Sequence, residues 1–544
     1  MPACLSPARV AGALLAALAV AAMPLAARAA EMRLTIDPAD GTTVGDTVTI
    51  LARVSGEGAA SVDRVAFSVD GRERSADTSV PYTFEWNTLE DTEGAHAVSA
   101  IATDSGGQTA SASVRLTVEN ELTRGEAYLA DTAASALRDG DAERAARYAR
   151  RALRLNPTSP GAASTLATIY RQRGELDRAV ETLEKAAIPD DDTRARAQLV
   201  SLYVARGAAT RDTKRLLEDA ARAVGIYRKL LAARLASLPA DAEPVRRGDL
   251  AFAARDWEAA VRAYQRVAGS GLTAPMEAAN RLLLAYARAN RMKDADVLAR
   301  TLVRANRADD VTQAVIAYTQ LRSHQMAKAR QTVQRGVDAR VLPSLVVAAF
   351  ADIALGNTEQ ARAEARQAAE LAPDAPETRF LEALFVADPI DARTAMTAVL
   401  ELEPTMPEPY GVLGFRALLS KARDRLALAD SLFGFALAQD ATGPYALLGS
   451  ALSLLEQKRN EEAETRLTRL LEVDPNGPSA LQAQACYLAA VDRIVESLPL
   501  LKRASEIDDR WDDAMVPDIP TLTRRAYRME PPALLTPAVL YPSR

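Results

Sequence analysis

The residues able to do chemistry in this chain are few and far apart. Among 544 residues there are only two histidines, His96 and His324, and two cysteines, Cys4 and Cys486. Acid–base or nucleophilic catalysis needs such groups to converge in one pocket, and none of the four has a second ligand, base or nucleophile near it in sequence. His96 falls in a stretch of alternating polarity and reads as a sheet-face histidine, with Asp104 as a turn residue. No second histidine or acidic pair makes a metal site of either, although the inter-strand turns are the place to look for calcium. His324 falls at a turn between helices and is expected to be exposed. Cys486 lies mid-helix beside Ala485 and reads as a small buried residue. Phosphate-binding glycine loops, zinc spacings and paired-carboxylate motifs are missing from the sequence. The expectation is a protein that is not an enzyme and holds neither metal nor cofactor.

The densest charge lies in GDAERAARYARRALRLNP, residues 140–157, which carries five arginines. A nucleic-acid grip is one reading of it. Ala145, Ala149 and Ala152, however, recur at i, i+4 and i+7, the packed stripe of an amphipathic helix. Arg144, Arg147, Arg150, Arg151 and Arg154 fall off that stripe beside Asp141 and Glu143, and are expected to face water. The formal charge of −6 across the chain also disfavours a polyanion partner.

These residues must be positioned by elements of two kinds. Ahead of both, Arg9, the apolar run Val10–Ala22 and the small-x-small pattern Ala27-Arg28-Ala29 read as a secretory signal, residues 1–29. This predicts an exported protein, periplasmic or extracellular, with no membrane-spanning segment in the mature chain. Residues 31–120 alternate at period two in short runs separated by Asp40-Gly41, Asp70-Gly71 and Ser105-Gly106-Gly107. That pattern predicts six or seven strands in an antiparallel two-sheet sandwich whose core includes Trp86. From Glu121 the period becomes helical, and Gly140 and Gly174, Ala145 and Ala179, and Ala152 and Ala186 each stand 34 residues apart. A repeat of that length means helix pairs that bury their faces against neighbours.

Two resemblances follow. VAFSVDG, VPYTFEWNT and EGAHAVSAIATDSGGQTASASVRLTV, in that order, resemble a bacterial immunoglobulin-like domain, which implies a spacer or adhesion module. Tyr410-x-x-Leu413-Gly414 and Tyr445-x-x-Leu448-Gly449, the trio Gly248, Ala260 and Tyr264, and Pro157, Pro373, Pro404 and Pro475 at repeat ends resemble the tetratricopeptide repeat. About ten or eleven copies are expected over residues 122–512, with an insertion around 208–218 and a short copy at 376–404. The overall expectation is a multidomain chain, an all-β sandwich followed by an all-α solenoid, a right-handed superhelix of helix hairpins.

That second resemblance implies an inner groove lined by first helices. Counting along the copies puts Phe252, Tyr318, Leu321, Phe350, Ile353, Phe415 and Leu418 there, with Arg138, Arg171, Arg288 and Arg322. The groove is therefore expected to be apolar in its middle with scattered cationic points, suited to an extended peptide with hydrophobic anchors; the same side chains could instead pack between adjacent first helices. The family's carboxylate-binding version is disfavoured, because Ala130 and Ala134 stand where it needs Lys and Asn. The proline-rich tail, residues 513–544, is expected to run extended, and its Leu534, Leu535, Val539, Leu540 and Tyr541 suggest that it folds back onto the solenoid. The functional expectation is a protein-interaction scaffold of the cell envelope. The alternative is a surface component that binds carbohydrate or polymer, which would want exposed tryptophan platforms; only Trp257 and Trp511 lie in the array, and Trp257 reads as a packing residue.

Overall fold

A computed structural model describes residues 32–56, 59–210, 212–239, 243–269, 273–512 and 515–542. The expected signal at 1–29 lies outside the described residues. The chain forms two compact units, one ending at Leu166 and the other starting at Ala167.

The first unit begins with eight strands: β1 Arg33–Asp37, β2 Thr43–Val44, β3 Thr47–Ser55, β4 Val62–Val69, β5 Arg72–Asp77, β6 Tyr82–Asn87, β7 Gly94–Asp104 and β8 Thr109–Val118. They make a three-stranded sheet in the order β1-β3-β6 and a five-stranded sheet in the order β2-β8-β7-β4-β5. The alternating pattern buries one face of each strand, and Ile50, Val65, Phe67, Trp86, Val98 and Leu116 fill the space between the sheets. The expectation of purely antiparallel pairing needs one correction, since the two-residue β2 pairs parallel to β8. The turn at Gly41, with its backbone in the left-handed region, carries the chain from the edge of one sheet to the edge of the other. His96 is buried in β7, with Nδ1 2.6 Å from the Asp70 carboxylate and Nε2 2.7 Å from the Thr92 carbonyl oxygen. Burial acts against a charged imidazole there, but these two acceptors outweigh it and raise the His96 pKa. Asp104 accepts from the backbone N–H groups of Gly106 and Gln108, which closes its turn.

The first hairpin, Glu126–Arg138 with Ala142–Leu155, belongs to this same unit. Its arginines correct the sequence expectation. Arg144 and Arg147 are exposed as expected, but Arg151 is buried and Arg150 half-buried. Arg150 Nε donates to Asp46 at 2.9 Å and its Nη2 to the other oxygen of the same carboxylate. Arg154 donates to the Leu89 carbonyl oxygen, and Arg151 pairs with Glu121 at 3.5 Å. Arg150, Arg151 and the still exposed Arg154 therefore reach across to the end of the sandwich, while Arg144 and Arg147 face water. Gly45 is required at this joint, because a Cβ there would lie 2.6 Å from the Glu119 carbonyl oxygen.

Eleven helical hairpins follow one another between Glu126 and Ile507 among the described residues. The fourth residue of the second helix is alanine in eight of them: Ala145, Ala179, Ala260, Ala295, Ala329, Ala361, Ala392 and Ala463, all essentially fully buried. A larger side chain there would force neighbouring backbones apart. Glycine does the same work in first helices. A Cβ on Gly248 would lie 2.2 Å from the Tyr264 ring, and one on Gly414 or Gly449 would strike the Phe433 ring. The expected insertion lengthens both helices of the third hairpin, Thr193–Ala209 and Thr213–Ala236, and the short copy has a nine-residue first helix, Pro376–Leu384.

Within the second unit the hairpins curl far enough for distant copies to meet. Arg171 bonds Glu401 at 2.7 Å, Arg228 bonds Gln439 at 3.0 Å, and Arg255 Nε donates to the Thr405 carbonyl oxygen at 2.9 Å. The tail does not run extended throughout, a second correction. Ile519–Met529 is a helix, started by the Asp518 side chain accepting from the Thr521 N–H and by Pro520 in the first turn. Only beyond Glu530 does the chain leave helical conformation, before a last short turn at Pro537–Leu540.

Candidate functional site

Several first helices in this array are buried around most of their circumference. LPSLVVAAFADIAL, residues Leu342–Leu355, buries twelve of its fourteen residues, and Met276–Arg288 buries eleven of thirteen. A helix buried on all sides needs cover on its inner side as well as toward its partner helix. The C-terminal segment supplies that cover. Its two helices pack on Met276–Arg288, Leu342–Leu355, Pro407–Leu419, Pro444–Glu456 and Pro478–Ala490, every one of them a first helix.

The anchors run in order along the segment. Tyr527 lies against Phe415, and Arg525 Nη1 donates to the Gln482 side-chain oxygen at 3.3 Å. Glu530 accepts from the Ser479 backbone N–H at 3.3 Å and from its hydroxyl. Leu534, Leu535, Val539 and Leu540 are buried. Thr536 donates its hydroxyl to Glu377. Asn280 Nδ2 donates to the Tyr541 hydroxyl at 2.8 Å, and the Arg281 guanidinium lies 4.8 Å from the centre of the Tyr541 ring.

Polar groups also cluster in the space beside the segment. Arg288, buried in the last turn of its first helix, bonds Glu408 at 3.3 Å and the Tyr318 hydroxyl at 3.3 Å, and lies 4.7 Å above the Trp257 ring. Burial works against the Arg288 cation, but Tyr318, Glu408 and Asp440 outweigh it and raise its pKa. Burial likewise pushes Glu403 upward, while Asp440 is held down by Arg288 and Thr442 against the same effect. Burial also pushes the Glu377 carboxyl up to about 7. Two cavities flank this cluster. One of about 260 Å³ is lined by Trp257, Arg281, Glu377, Glu403, Thr536 and Tyr541 among others. One of about 130 Å³ is lined by Arg322, His324, Glu408, Asp440, Tyr445 and Glu530 among others.

His324 corrects the expectation of an exposed turn residue. It occupies the inter-helix turn with φ of 57°, where other copies place Gly140, Gly174, Asn290 or Gly356 in the same left-handed region. Its side chain is only 10 % exposed, with Nε2 2.9 Å from both oxygens of Asp474 and Nδ1 4.0 Å from Glu530. Desolvation opposes its charge, yet Asp474 and Glu530 prevail and raise its pKa to about 9. Arg255, at the equivalent turn position with φ of 61°, also reaches the cluster. Backbone strain at two turns is thus coupled to polar contacts on the inner side.

Residues 33–100 match the bacterial Ig domain model, and residues 136–203 and 445–477 match tetratricopeptide repeat models. A bacterial Ig-like domain here precedes tetratricopeptide repeats. Three solved structures illustrate the likeness. The fibronectin(III)-like modules of Clostridium thermocellum CbhA share 27 % identity over 16 % of this chain and 47 % of theirs, at a TM-score of 0.15. The APC/C hetero-tetramer Cut9-Hcn1 shares 14 % identity over 75 % of this chain and 85 % of the other, at 0.40. Yeast Tom70 shares 14 % over 74 % and 94 %, at 0.26. No curated protein matches the chain.

The residues expected to line the repeat groove separate into three sets. Arg288, Tyr318, Phe252 and Arg322 gather at the polar cluster and its cavities. Phe350, Phe415 and Leu418 are buried in ring and aliphatic packing, Phe350 on Phe380 and Phe415 on Phe433 and Tyr445. Arg138 is exposed at the end of its helix, and Arg171, 41 % exposed, bonds Ser201 and Glu401. The expected middle is apolar in part: buried Arg288 and Glu408 and half-buried Arg255, Glu403 and Asp440 stand among its apolar side chains. The acids escaped notice in sequence, although Pro376-Glu377 and Pro407-Glu408 repeat one Pro-Glu step at the start of two first helices. Trp257 is no buried packing residue but half-buried beside the cavity, edge-on to Phe252 at 4.9 Å. Cys486 is buried, its thiol 3.3 Å from the Pro517 carbonyl oxygen.

Proposed function

We propose that this chain is an exported, non-catalytic scaffold of the cell envelope that holds a partner protein along the inner surface of its tetratricopeptide hairpins. The tetratricopeptide repeats make protein–protein interaction the general role. The single observation that carries the finer reading is the chain's own segment 530–541, which lies against first helices with its aliphatic side chains buried, non-helical as far as Thr536 and closing in one helical turn at Pro537–Leu540. An inner surface that accepts one such peptide has the chemistry to accept another. In this reading Arg288, Tyr318, Phe252 and Arg322 contribute to the partner site, while Phe350, Phe415 and Leu418 hold the helices that form it. Arg171 belongs to its edge.

The Ig-like module is joined firmly to the first hairpin, because Asp46, Leu89 and Glu121 fasten it there. Export is supported by the composition of residues 1–29, and no helix among the described residues is long and apolar enough to cross a membrane. A carbohydrate-binding role gains little support from the two tryptophans of the array. Trp511 is buried, and Trp257 is taken up by Phe252 and Arg288. Chemical cross-linking in the intact envelope followed by affinity capture of this chain tests the reading. Recovery of a protein cross-linked to the second unit is expected; recovery of glycan alone would overturn it.

A further inference from the structure

The segment after Met529 meets its cradle imperfectly, and the imperfection has a direction. Asn280 and Glu377 are 0 % and 1 % exposed, and each uses one side-chain atom to bond the segment. Their remaining oxygens, Asn280 Oδ1 and Glu377 Oε2, have no hydrogen-bond partner. Asn280 Oδ1 is an acceptor and Glu377 Oε2 is one whenever its carboxyl is ionised; both sit on first helices, and both flank the stretch Leu534–Tyr541. The segment brings a single donor, the Thr536 hydroxyl, to a carboxyl able to take two, and it brings none to Asn280 Oδ1. Buried acceptors left unmet are unfavourable, so a ligand with further N–H or O–H donors at these places would bind better than the resident one. Around them the slots are specific: adjacent aliphatic side chains at 534 and 535, a donor at 536, a proline at 537, aliphatics at 539 and 540, and an aromatic ring under Arg281 at 541.

We propose that this cradle is the partner site itself, that its ligand is a protein segment with that order of groups, ending like the resident one in a helical turn, and a stronger donor at the 536 place, and that residues 530–542 are a resident competitor the partner must displace. This rests on the scaffold reading above. A tethered competitor acts at an effective concentration on the order of millimolar, so the site is closed to weak ligands and opens to better ones.

The test uses the full chain and a fluorescein-labelled peptide of residues 530–544, EPPALLTPAVLYPSR, read by anisotropy. Leu535→Asp in the protein expels the resident segment, and this variant is expected to bind the peptide at least tenfold more tightly than the unsubstituted chain. Thr536→Val in the peptide is expected to weaken that binding at least fivefold, and Thr536→Gln, which brings two amide donors to Glu377, to tighten it at least threefold. If Leu535→Asp abolishes folding, Tyr541→Ala in the protein removes only the last anchor and is expected to raise peptide affinity at least threefold. A folded Leu535→Asp variant that binds no better than the unsubstituted chain would overturn the proposal, and so would equal binding of the three peptides. Concentration-dependent dimers of the unsubstituted chain that exchange segments would also overturn it, by assigning the cradle to a second copy. The scaffold reading stands or falls separately, on whether envelope cross-linking recovers any protein.

Discussion

The two helices of one hairpin, Met276–Arg288 and Met292–Arg304, are both 13 residues long and are buried in opposite ways. The second buries Ala295, Leu298, Ala299 and Leu302, a single stripe at helical spacing, and leaves Val297 and Val303 exposed. The first is buried continuously from Ala278 to Arg288, arginines included. The second helix here behaves as an outer wall packed on one side, and the first is enclosed between that wall, residues of distant copies and the chain's own C-terminal segment. Polar residues on the exposed side of such a wall are solvated. On the inner side each must find a partner, and Arg288, His324, Glu377 and Glu408 show what those partners are.

Substitutions separate the two kinds of helix sharply. Arg288→Met is expected to cost about 3–5 kcal/mol, because Glu408 and Asp440 lose one of the two guanidinium groups beside them and only Arg255 remains, and chemical denaturation would measure it. Next in size is the effect of pH on His324. Its pKa, about 9 in the folded chain, exceeds the ordinary value of 6.5. The contribution of its Asp474 and Glu530 contacts is therefore complete below about pH 6.5 and is lost as pH rises through 9. Melting curves at pH 6 and pH 10 should differ by more in the unsubstituted chain than in His324→Gln. Glu377 adds a loss of the same sign at lower pH, from its ordinary 4.5 up to about 7. Gly449→Ala is expected to destabilise by about 1–3 kcal/mol through overpacking on Phe433. Val297→Ala, on an outer wall and 65 % exposed, should change stability by less than about 0.5 kcal/mol.

What the sequence disclosed and what it hid follow from the same contrast. Ala145, Ala179 and Ala260 were legible because each meets its neighbour within one repeat, so a local period carries the information. The outer arginines Arg144 and Arg147 were legible for the same reason. The burial of Arg150 was not, since its partner Asp46 belongs to another module 104 residues away, and neither was the bond that the exposed Arg154 makes to Leu89, 65 residues away. The inner polar cluster joins turns and helix starts from copies as far apart as Arg255 and Glu408, a distance no period encodes. His324 was misread because turn position ordinarily means exposure, and here the curl of the array turns that position inward. The tail helix left a local signal, Asp518 and Thr521 around Pro520, that was outweighed by the count of prolines.

Hydrogen–deuterium exchange on the full chain and its Leu535→Asp variant tests the inner lining most directly. If the C-terminal segment covers the first helices, backbone amides of Met276–Arg288 and Pro376–Leu384 should lose protection in the variant while those of Met292–Arg304 keep theirs. Unchanged protection of both first helices in a variant that still folds would contradict it.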